Sequence, residues 1–156
     1  MRRLLRGAAA VALGALVFLI GVAVVMRVAG SDAGAWHVPL TTAERPGAPN
    51  DFLAATPGYT AATPDLKLEP GDGDAEWLRA LDAVAMAEPR VERLAGGPAE
   101  GRITWVQRSA VFGFPDYITA EARGADRAVW SRARYGRNDF GVNRARVERW
   151  LARLGG

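Results

Sequence analysis

The chain of 156 residues is long enough for one modest domain and an accessory segment. Its formal net charge of +3 is unevenly distributed. The charged residues of segment 1–30 are all arginines, whereas segment 31–100 is mainly acidic and segment 101–156 is mainly basic. The excess positive charge therefore belongs to the N-terminal element, which argues against a nucleic-acid-binding protein. The absence of cysteine excludes disulfides, cysteine-based zinc sites and thiol nucleophiles.

The first predicted element is a transmembrane anchor over residues 1–29. The sequence is uncharged from Gly7 to Met26, and a helix of that length covers about 30 Å, the thickness of a bilayer core. Arginines are more numerous before this run than after it, which favours a cytoplasmic N-terminus. We therefore expect a single span in the bacterial cytoplasmic membrane, with the following domain on the outer, periplasmic side. The alternative is a cleaved signal peptide, whose small-residue site at residues 33–35 stands far from the apolar run.

Small residues recur along the anchor. Gly7, Gly14 and Gly21 are spaced by seven residues, which keeps them on one face of a helix. Such a face lets a second transmembrane helix approach closely. The pattern predicts a transmembrane helix partner or a homodimer, although glycine is also common in membrane helices without such a role.

Residues 30–45 are predicted to be a Pro-, Ala- and Gly-rich tether, followed by a soluble domain over residues 46–156. Proline recurs to about residue 71 without a helical or strand period. We expect part of this stretch to wrap the domain, anchored by Phe52, Leu53 and Tyr59. His37 has no other ligand type near it in sequence and is interpreted as a solvated tether residue.

The soluble domain is predicted to be α+β, with about four antiparallel strands and two amphipathic helices on one face, preceded by one N-terminal transmembrane helix. Apolar residues at helical spacing predict the first helix over residues 74–87. The second helix is predicted to open at Asn143, acting as its N-cap. The predicted strands cover residues 90–94, 102–109, 117–123 and 128–135.

Three motifs occur together in the C-terminal half. They are Phe112-Gly113-Phe114-Pro115-Asp116 after a strand, Ser131-Arg132-Ala133-Arg134-Tyr135-Gly136 at a strand end, and Asp139-Phe140-Gly141-Val142-Asn143-Arg144 opening the last helix. Together they resemble the family known as "domain of unknown function 1499" of bacteria and plant plastids. An upstream Pro49-Asn50 also matches, although the family often continues with Cys where Asp51 stands here. The resemblance covers residues 46–154 and implies a domain boundary, but no established activity.

Two loops near these motifs contain the candidate binding or structural-motif residues. These are Phe112, Phe114, Asp116, Arg134, Asn138, Asp139, Asn143 and Arg144. Asp116 and Asp139 could act as a paired acid and base, or could bind a hard cation together with Glu121. We expect instead that each carboxylate accepts backbone N–H bonds and fixes its own turn, because neither a histidine nor a nucleophile accompanies them.

The aromatic and basic side chains of the loops also have two interpretations. Phe112, Phe114 and Phe140 could form an exposed cluster for a partner or lipid, but such residues more often pack a loop onto the core, which is our expectation. The nearby arginines are Arg132, Arg134, Arg137 and Arg144. They could bind a phosphate or carboxylate ligand, or pair with the acidic first half of the domain.

The sequence thus predicts a membrane-anchored envelope protein with a non-enzymatic domain that binds a partner or a small anionic ligand. It predicts no cofactor, metal or nucleic acid. The alternatives are a hydrolase or transferase that uses Asp116 and Asp139, and an envelope accessory that acts through contact with lipid.

Overall fold

A computed structural model of the chain describes residues 2–45 and 47–155. The predicted termini at Met1 and Gly156, and the predicted domain start at Pro46, lie outside these residues. The described helices are α1 (Arg2–Val28), α2 (Ala33–Trp36), α3 (Asp74–Met86) and α4 (Val142–Ala152), with a 3₁₀ turn at Pro98–Glu100. The described strands are β1 (Asp51–Ala55), β2 (Leu66–Lys67), β3 (Val91–Gly97), β4 (Arg102–Arg108), β5 (Pro115–Arg123) and β6 (Asp126–Ala133).

The strands form one sheet in the order β2-β1-β6-β5-β4-β3. All neighbours are antiparallel except β1 and β2, which are parallel. The prediction of an α+β domain is confirmed, but the expectation of about four strands is wrong, because the described residues form six strands in one sheet. The two missed strands lie within the Pro-rich stretch, and β1 is buried at four of its five positions, so it lacks the polar alternation that reveals a strand.

Helices α3 and α4 cover one face of the sheet. Their buried side chains Leu78, Leu81, Val147 and Trp150 join a core with apolar residues of β1, β4, β5 and β6. Trp150 meets the edge of Trp105 with ring centroids 5.7 Å apart. Each large apolar side chain buried in this way contributes roughly 1.5–3 kcal/mol, so this face holds the domain together.

The other face of the sheet is covered by residues 31–43, which we call the strap. Trp36 stacks on Tyr117 with ring centroids 3.9 Å apart, and the Leu40 side chain is 1% exposed. The Leu40 backbone N–H donates to the buried Glu121 carboxylate at 2.8 Å. His37, interpreted from sequence as solvated, lies with its Nδ1 atom 2.9 Å from Thr104 Oγ1. Much of the predicted tether is therefore packed against the sheet.

Helix α1 is the one helix among the described residues that is long and apolar enough to cross a membrane. Within its segment Arg6–Val28, the most apolar window of 18 residues has a mean hydropathy of 2.8 and contains no buried residue. Its C-terminal end contacts the domain. Arg108 donates to the Met26 carbonyl at 2.7 Å and to the Ala29 carbonyl at 3.0 Å. The apolar helix therefore ends against the sheet.

Candidate binding groove at the loop edge of the sheet

Two loops lie side by side where β4 and β6 end and β5 begins, and we call this region the loop edge. The first loop covers residues 109–114 between β4 and β5, and the second covers residues 134–141 between β6 and α4. The Arg134 backbone N–H donates to the Pro115 carbonyl at 3.3 Å, which connects the second loop to β5, the strand that follows the first loop. The strand order thus brings together the two loops singled out from the sequence.

The first loop also contacts the end of α1. Arg27 donates to the carbonyl oxygens of Val111 at 2.7 Å and Ala110 at 3.2 Å. Gly113 has a φ of +75°, and a Cβ atom there would lie 2.6 Å from Arg27 Cγ. Glycine is therefore required twice at this position, by the left-handed backbone and by the close approach of α1.

The aromatic residues of the loops form a partly exposed series. The rings of Phe112 and Phe114 lie 5.8 Å apart, and those of Phe114 and Tyr135 lie 5.9 Å apart. Phe112 and Phe114 are half-buried against each other, which agrees in part with the packing expectation. For Phe140 that expectation is wrong, because its side chain is 92% exposed. The turn between Asn138 and Gly141 fixes its backbone at a φ of +55° and directs the ring away from the core.

A groove of about 370 Å³ opens between the two loops. It is lined by Ser109, Phe114, Asp116, Ala133, Tyr135, Gly136, Asp139, Phe140 and Val142. A second depression of about 400 Å³ lies on the other side of Asp139 and Phe140, next to Asn138, Arg144 and residues of β1. The loop groove contains both carboxylates named from the sequence, while its walls are mainly aromatic and aliphatic.

Asp116 sits at the floor of the groove and is paired with a buried arginine. Its Oδ2 accepts a hydrogen bond from Arg146 Nη2 at 2.7 Å. Burial raises the pKa of the Asp116 carboxyl above its ordinary value, while the positive charge of Arg146 opposes that shift. The expectation that this carboxylate accepts backbone N–H bonds is not met here, because the partner is a guanidinium.

Asp139 matches that expectation. Its Oδ1 accepts from the Gly141 N–H at 3.1 Å, and its Oδ2 accepts from the Asn143 N–H at 2.7 Å. Asn138 acts similarly, with its Oδ1 accepting from the Phe140 N–H at 2.7 Å. Both side chains shape the turn that leads into α4, and Asp139 stabilises the helix start by satisfying one of its free N–H groups.

The prediction that Asn143 caps the last helix is wrong. The N-cap is Gly141, with a φ of +79°, and Asn143 lies inside the first turn with its side chain fully buried. Its Nδ2 donates to the Asn50 carbonyl at 3.0 Å, and its Oδ1 accepts from Ser131 at 2.6 Å. Asp139 stabilises the helix start from a position before the helix, so the amide of Asn143 is free to connect α4 to β6 and to the residue that precedes β1.

Sequence reasoning missed the most connected polar side chain of this region, Arg146. Its guanidinium donates to Gln107, Ser131, Asn143 and Asp116, and the residue is 4% exposed. A charged side chain in an amphipathic helix is ordinarily expected on the solvated side. A signal was present, however: Asn143, Arg146, Val147 and Trp150 occupy the i, i+3, i+4 and i+7 positions of one buried stripe.

Three of the four arginines considered as anion ligands have partners within the protein. Arg134 donates to the Gly30 carbonyl at 2.9 Å and to the Tyr117 hydroxyl at 3.3 Å. Arg132 is buried between the rings of Trp36 and Trp130. Arg144 pairs with Glu148 at 2.9 Å on the exposed side of α4, and Arg137 is exposed in the second loop. The structure therefore gathers Phe114, Asp116 and Asp139 around the groove, and leaves the arginines outside its lining.

The groove has the geometry of a binding site with an apolar wall and one neutralised charge pair. Across residues 2–45 and 47–155, no group of three or more His, Asp or Glu side chains is arranged to hold a metal ion. Within the groove, Ser109 Oγ accepts a hydrogen bond from the Phe114 N–H at 3.0 Å, which fixes the first loop. These side chains support apolar contact and hydrogen bonding with a ligand that lies in the open groove.

Comparison with known proteins identifies the domain. The model of the family described as "Protein of unknown function (DUF1499)" matches residues 42–154, which is most of the chain. No curated protein matches, and neither does a solved structure. The match includes both loops, the groove and α4, in agreement with the resemblance seen in the motifs. The chain belongs to the DUF1499 family of proteins of unknown function.

Proposed function

We propose that the protein is a membrane-anchored binding protein of the bacterial envelope, in which the loop groove takes a partner or ligand from the membrane surroundings. In this proposal α1 remains uncleaved with its N-terminus in the cytoplasm, and the domain stands on the outer side. The observation that carries the proposal is the attachment of the end of α1 to the loop edge by Arg27 and Arg108. A permanent anchor would hold the groove beside the membrane.

The contacts around the end of α1 favour an anchor over a signal peptide. Beyond the two arginine contacts, the Ser31 hydroxyl lies 2.9 Å from the Tyr117 hydroxyl, and the Gly30 carbonyl accepts from Arg134. Cleavage near residue 35 would remove all of these partners and leave the guanidinium of Arg108 without two of its acceptors. A domain that matured by such cleavage would have no need for this set of contacts.

The groove favours binding over catalysis. Asp139 uses both carboxylate oxygens to hold the turn before α4, and Asp116 is neutralised by Arg146. A general base needs a lone pair directed at its substrate. The walls formed by Phe114, Tyr135, Phe140 and Val142 instead suit the apolar part of a ligand or of a partner segment.

The location is tested by a reporter enzyme fused after Gly156. An outer-side domain predicts a reporter that is active only outside the cytoplasm. Activity in the cytoplasm would overturn the proposed orientation while leaving the structural description of the groove unaffected.

Binding is tested with a photoreactive amino acid in the full chain in its native membrane. Val142 lines the groove and is 50% exposed, so a probe there faces the groove without disturbing the core. The matched control is Ala125, which is exposed in the turn at the opposite end of β5. A discrete adduct at position 142 that is absent at position 125 supports the proposal. The same products at both positions, or none at position 142, would contradict it.

One observation favours a second candidate, a hydrolase or transferase: both carboxylates line the same groove, and burial raises the pKa of Asp116. If the groove is catalytic, Asp116→Asn should trap an unprocessed substrate and change the mass of the adduct formed at position 142. A binding protein should give the same adduct mass with Asp116 or Asn at this position. We expect the latter, and we expect added divalent metal to leave the melting temperature unchanged.

A further inference from the structure

Apolar side chains are exposed at the loop edge beside the end of α1. We call them the apolar rim: Val111, Phe112, Phe114, Tyr135, Phe140 and Val142. Val111 is 69% exposed, Phe140 is 92% exposed, and Tyr135 is 41% exposed. Burial of a phenylalanine ring stabilises a protein, and Phe140 gains none of that stabilisation in the isolated chain. Clustered exposure of this kind marks a surface that contacts something apolar.

The rim is continuous rather than scattered. Phe112, Phe114 and Tyr135 follow one another at ring separations of 5.8 and 5.9 Å. Phe114, Tyr135, Phe140 and Val142 then line one groove. Both loops therefore contribute to a single apolar surface.

The position of α1 relates this surface to the bilayer. The uncharged run of α1 ends at Met26, so Arg27 marks the level at which the helix leaves the hydrocarbon core. Arg27 donates to the carbonyls of Ala110 and Val111, so the first rim residue lies against the turn of α1 that reaches the headgroups. A rim at that level faces the boundary between headgroups and acyl chains, where aromatic side chains are favourable.

We propose that the apolar rim inserts into the membrane interface and holds the domain flat against the lipid surface, so that the loop groove opens towards the bilayer. The occupant of the rim is lipid rather than a second protein, because the rim continues directly from the emerging end of the anchor. The inference rests on the membrane insertion of α1 proposed above. It also specifies the source of the groove's ligand, which would enter from the membrane rather than from water.

The absence of cysteine allows single labels to be placed without further changes. Nitroxide labels on Val111→Cys and Phe140→Cys would report on the rim, and both positions are exposed enough for the domain to fold. Ala125→Cys is the matched control, because it follows β5, whose nine residues span roughly 26 Å from the loop edge. Val17→Cys, in the middle of α1, reports on the anchor itself.

The full-length labelled chains are reconstituted in vesicles of phosphatidylethanolamine and phosphatidylglycerol. Collisions of each label with oxygen, which concentrates in lipid, are compared with collisions with a water-soluble nickel chelate. We expect the oxygen-to-nickel ratio at positions 111 and 140 to exceed that at position 125 severalfold. Ratios at 111 and 140 equal to the ratio at 125, with a lipid-exposed label at 17, would overturn rim insertion alone. A water-exposed label at 17 would overturn the anchor, and rim insertion with it.

Discussion

The Arg146 guanidinium lies 2.7 Å from the Asp116 carboxylate, under the first turns of α4 and at the floor of the groove. The Arg146 side chain is 5% exposed and the Asp116 side chain is 19% exposed. This pair links α4 to β5, and the further bonds of Arg146 to Ser131 and Asn143 link it to β6 and to its own helix. The floor of the groove is therefore a structural junction as well as a potential contact for ligand.

Removal of Arg146 should destabilise the domain strongly. Breaking a buried ion pair by removing one partner costs about 3–5 kcal/mol. We expect the lower end of that range for Arg146→Ala, because Asp116 retains some exposure to water. Arg144→Ala is the matched control on the same helix, where loss of an exposed pair with Glu148 should cost about 0.3–0.5 kcal/mol. Equal losses in urea unfolding of the two variants would contradict the proposed junction.

The raised pKa of Asp116 predicts a specific dependence of stability on pH. Burial raises this pKa above 3.8, so the folded chain binds the proton more readily than the unfolded chain does. The contribution of Asp116 to the free energy of unfolding should therefore fall as the pH rises from 3.8 through the pKa of this carboxyl in the folded chain.

The measurement is the free energy of unfolding of the wild type minus that of Asp116→Asn, followed against pH. We expect this difference to decrease as the pH rises from 3.8 through the folded pKa of Asp116. The other titrating groups contribute equally to both proteins, so their contributions cancel in the difference. A difference that increases with pH would mean that Arg146 outweighs burial and lowers the pKa.

Substitutions of Asn143 distinguish a buried junction from a helix cap. Asn143→Ala should cost about 1–3 kcal/mol, because buried polar groups of Asn50 and Ser131 lose a partner. Asn143→Asp should also be destabilising, because a carboxylate cannot donate to the Asn50 carbonyl. At a cap, Asp and Asn would be nearly equivalent. Thermal unfolding of both variants, with the exposed Arg137→Ala as the control, tests this assignment. A silent Asn143→Asp would contradict it.

The small residues on one face of α1 predict that this helix associates with another transmembrane helix. Added Cβ atoms at Gly7, Gly14 and Gly21 meet no atom within 4 Å, so larger residues fit the single helix. Gly14→Leu with Gly21→Leu should therefore preserve insertion but abolish association in a membrane two-hybrid assay, if this face is an interface. Ala12→Leu, which adds the same side chain on the opposite face of the helix, is the control. An unchanged association signal in the double variant would show that the small residues do not form a contact.

The sequence predicted well those elements whose period reflects one buried face. Helices α3 and α4 were identified from their helical patterns, because one side of each helix packs on the core. Strand β5 was identified because apolar and polar residues alternate along it, although the polar Thr119 and Glu121 are also buried, under the strap. Strand β1 is likewise buried at most of its positions but lacks that alternation in its sequence, so it was missed. The strap was interpreted as a tether because its contacts, such as Trp36 on Tyr117, join residues far apart in the chain.

The candidate site was predicted in part for a similar reason. Local turn chemistry is readable from sequence, which is why Asp139 was correctly assigned to its turn. The roles of Asn143 and Arg146 depend on Asn50, Gln107 and Ser131, which lie on three other segments. The exposure of Phe140 also depends on how the second loop leaves β6, which composition does not determine.

The proposed function requires that α1 stays attached to the domain and keeps the loop edge at the membrane. Its most direct test is the intact mass of the protein extracted from the membrane fraction of cells that produce the full chain. We predict the mass of a chain that retains α1 together with residues 30–35, and that is released by detergent but not by alkaline carbonate. A soluble product that begins near Trp36 would contradict the claim, because the contacts of Arg27 and Arg108 with the end of α1 would then be absent from the mature protein.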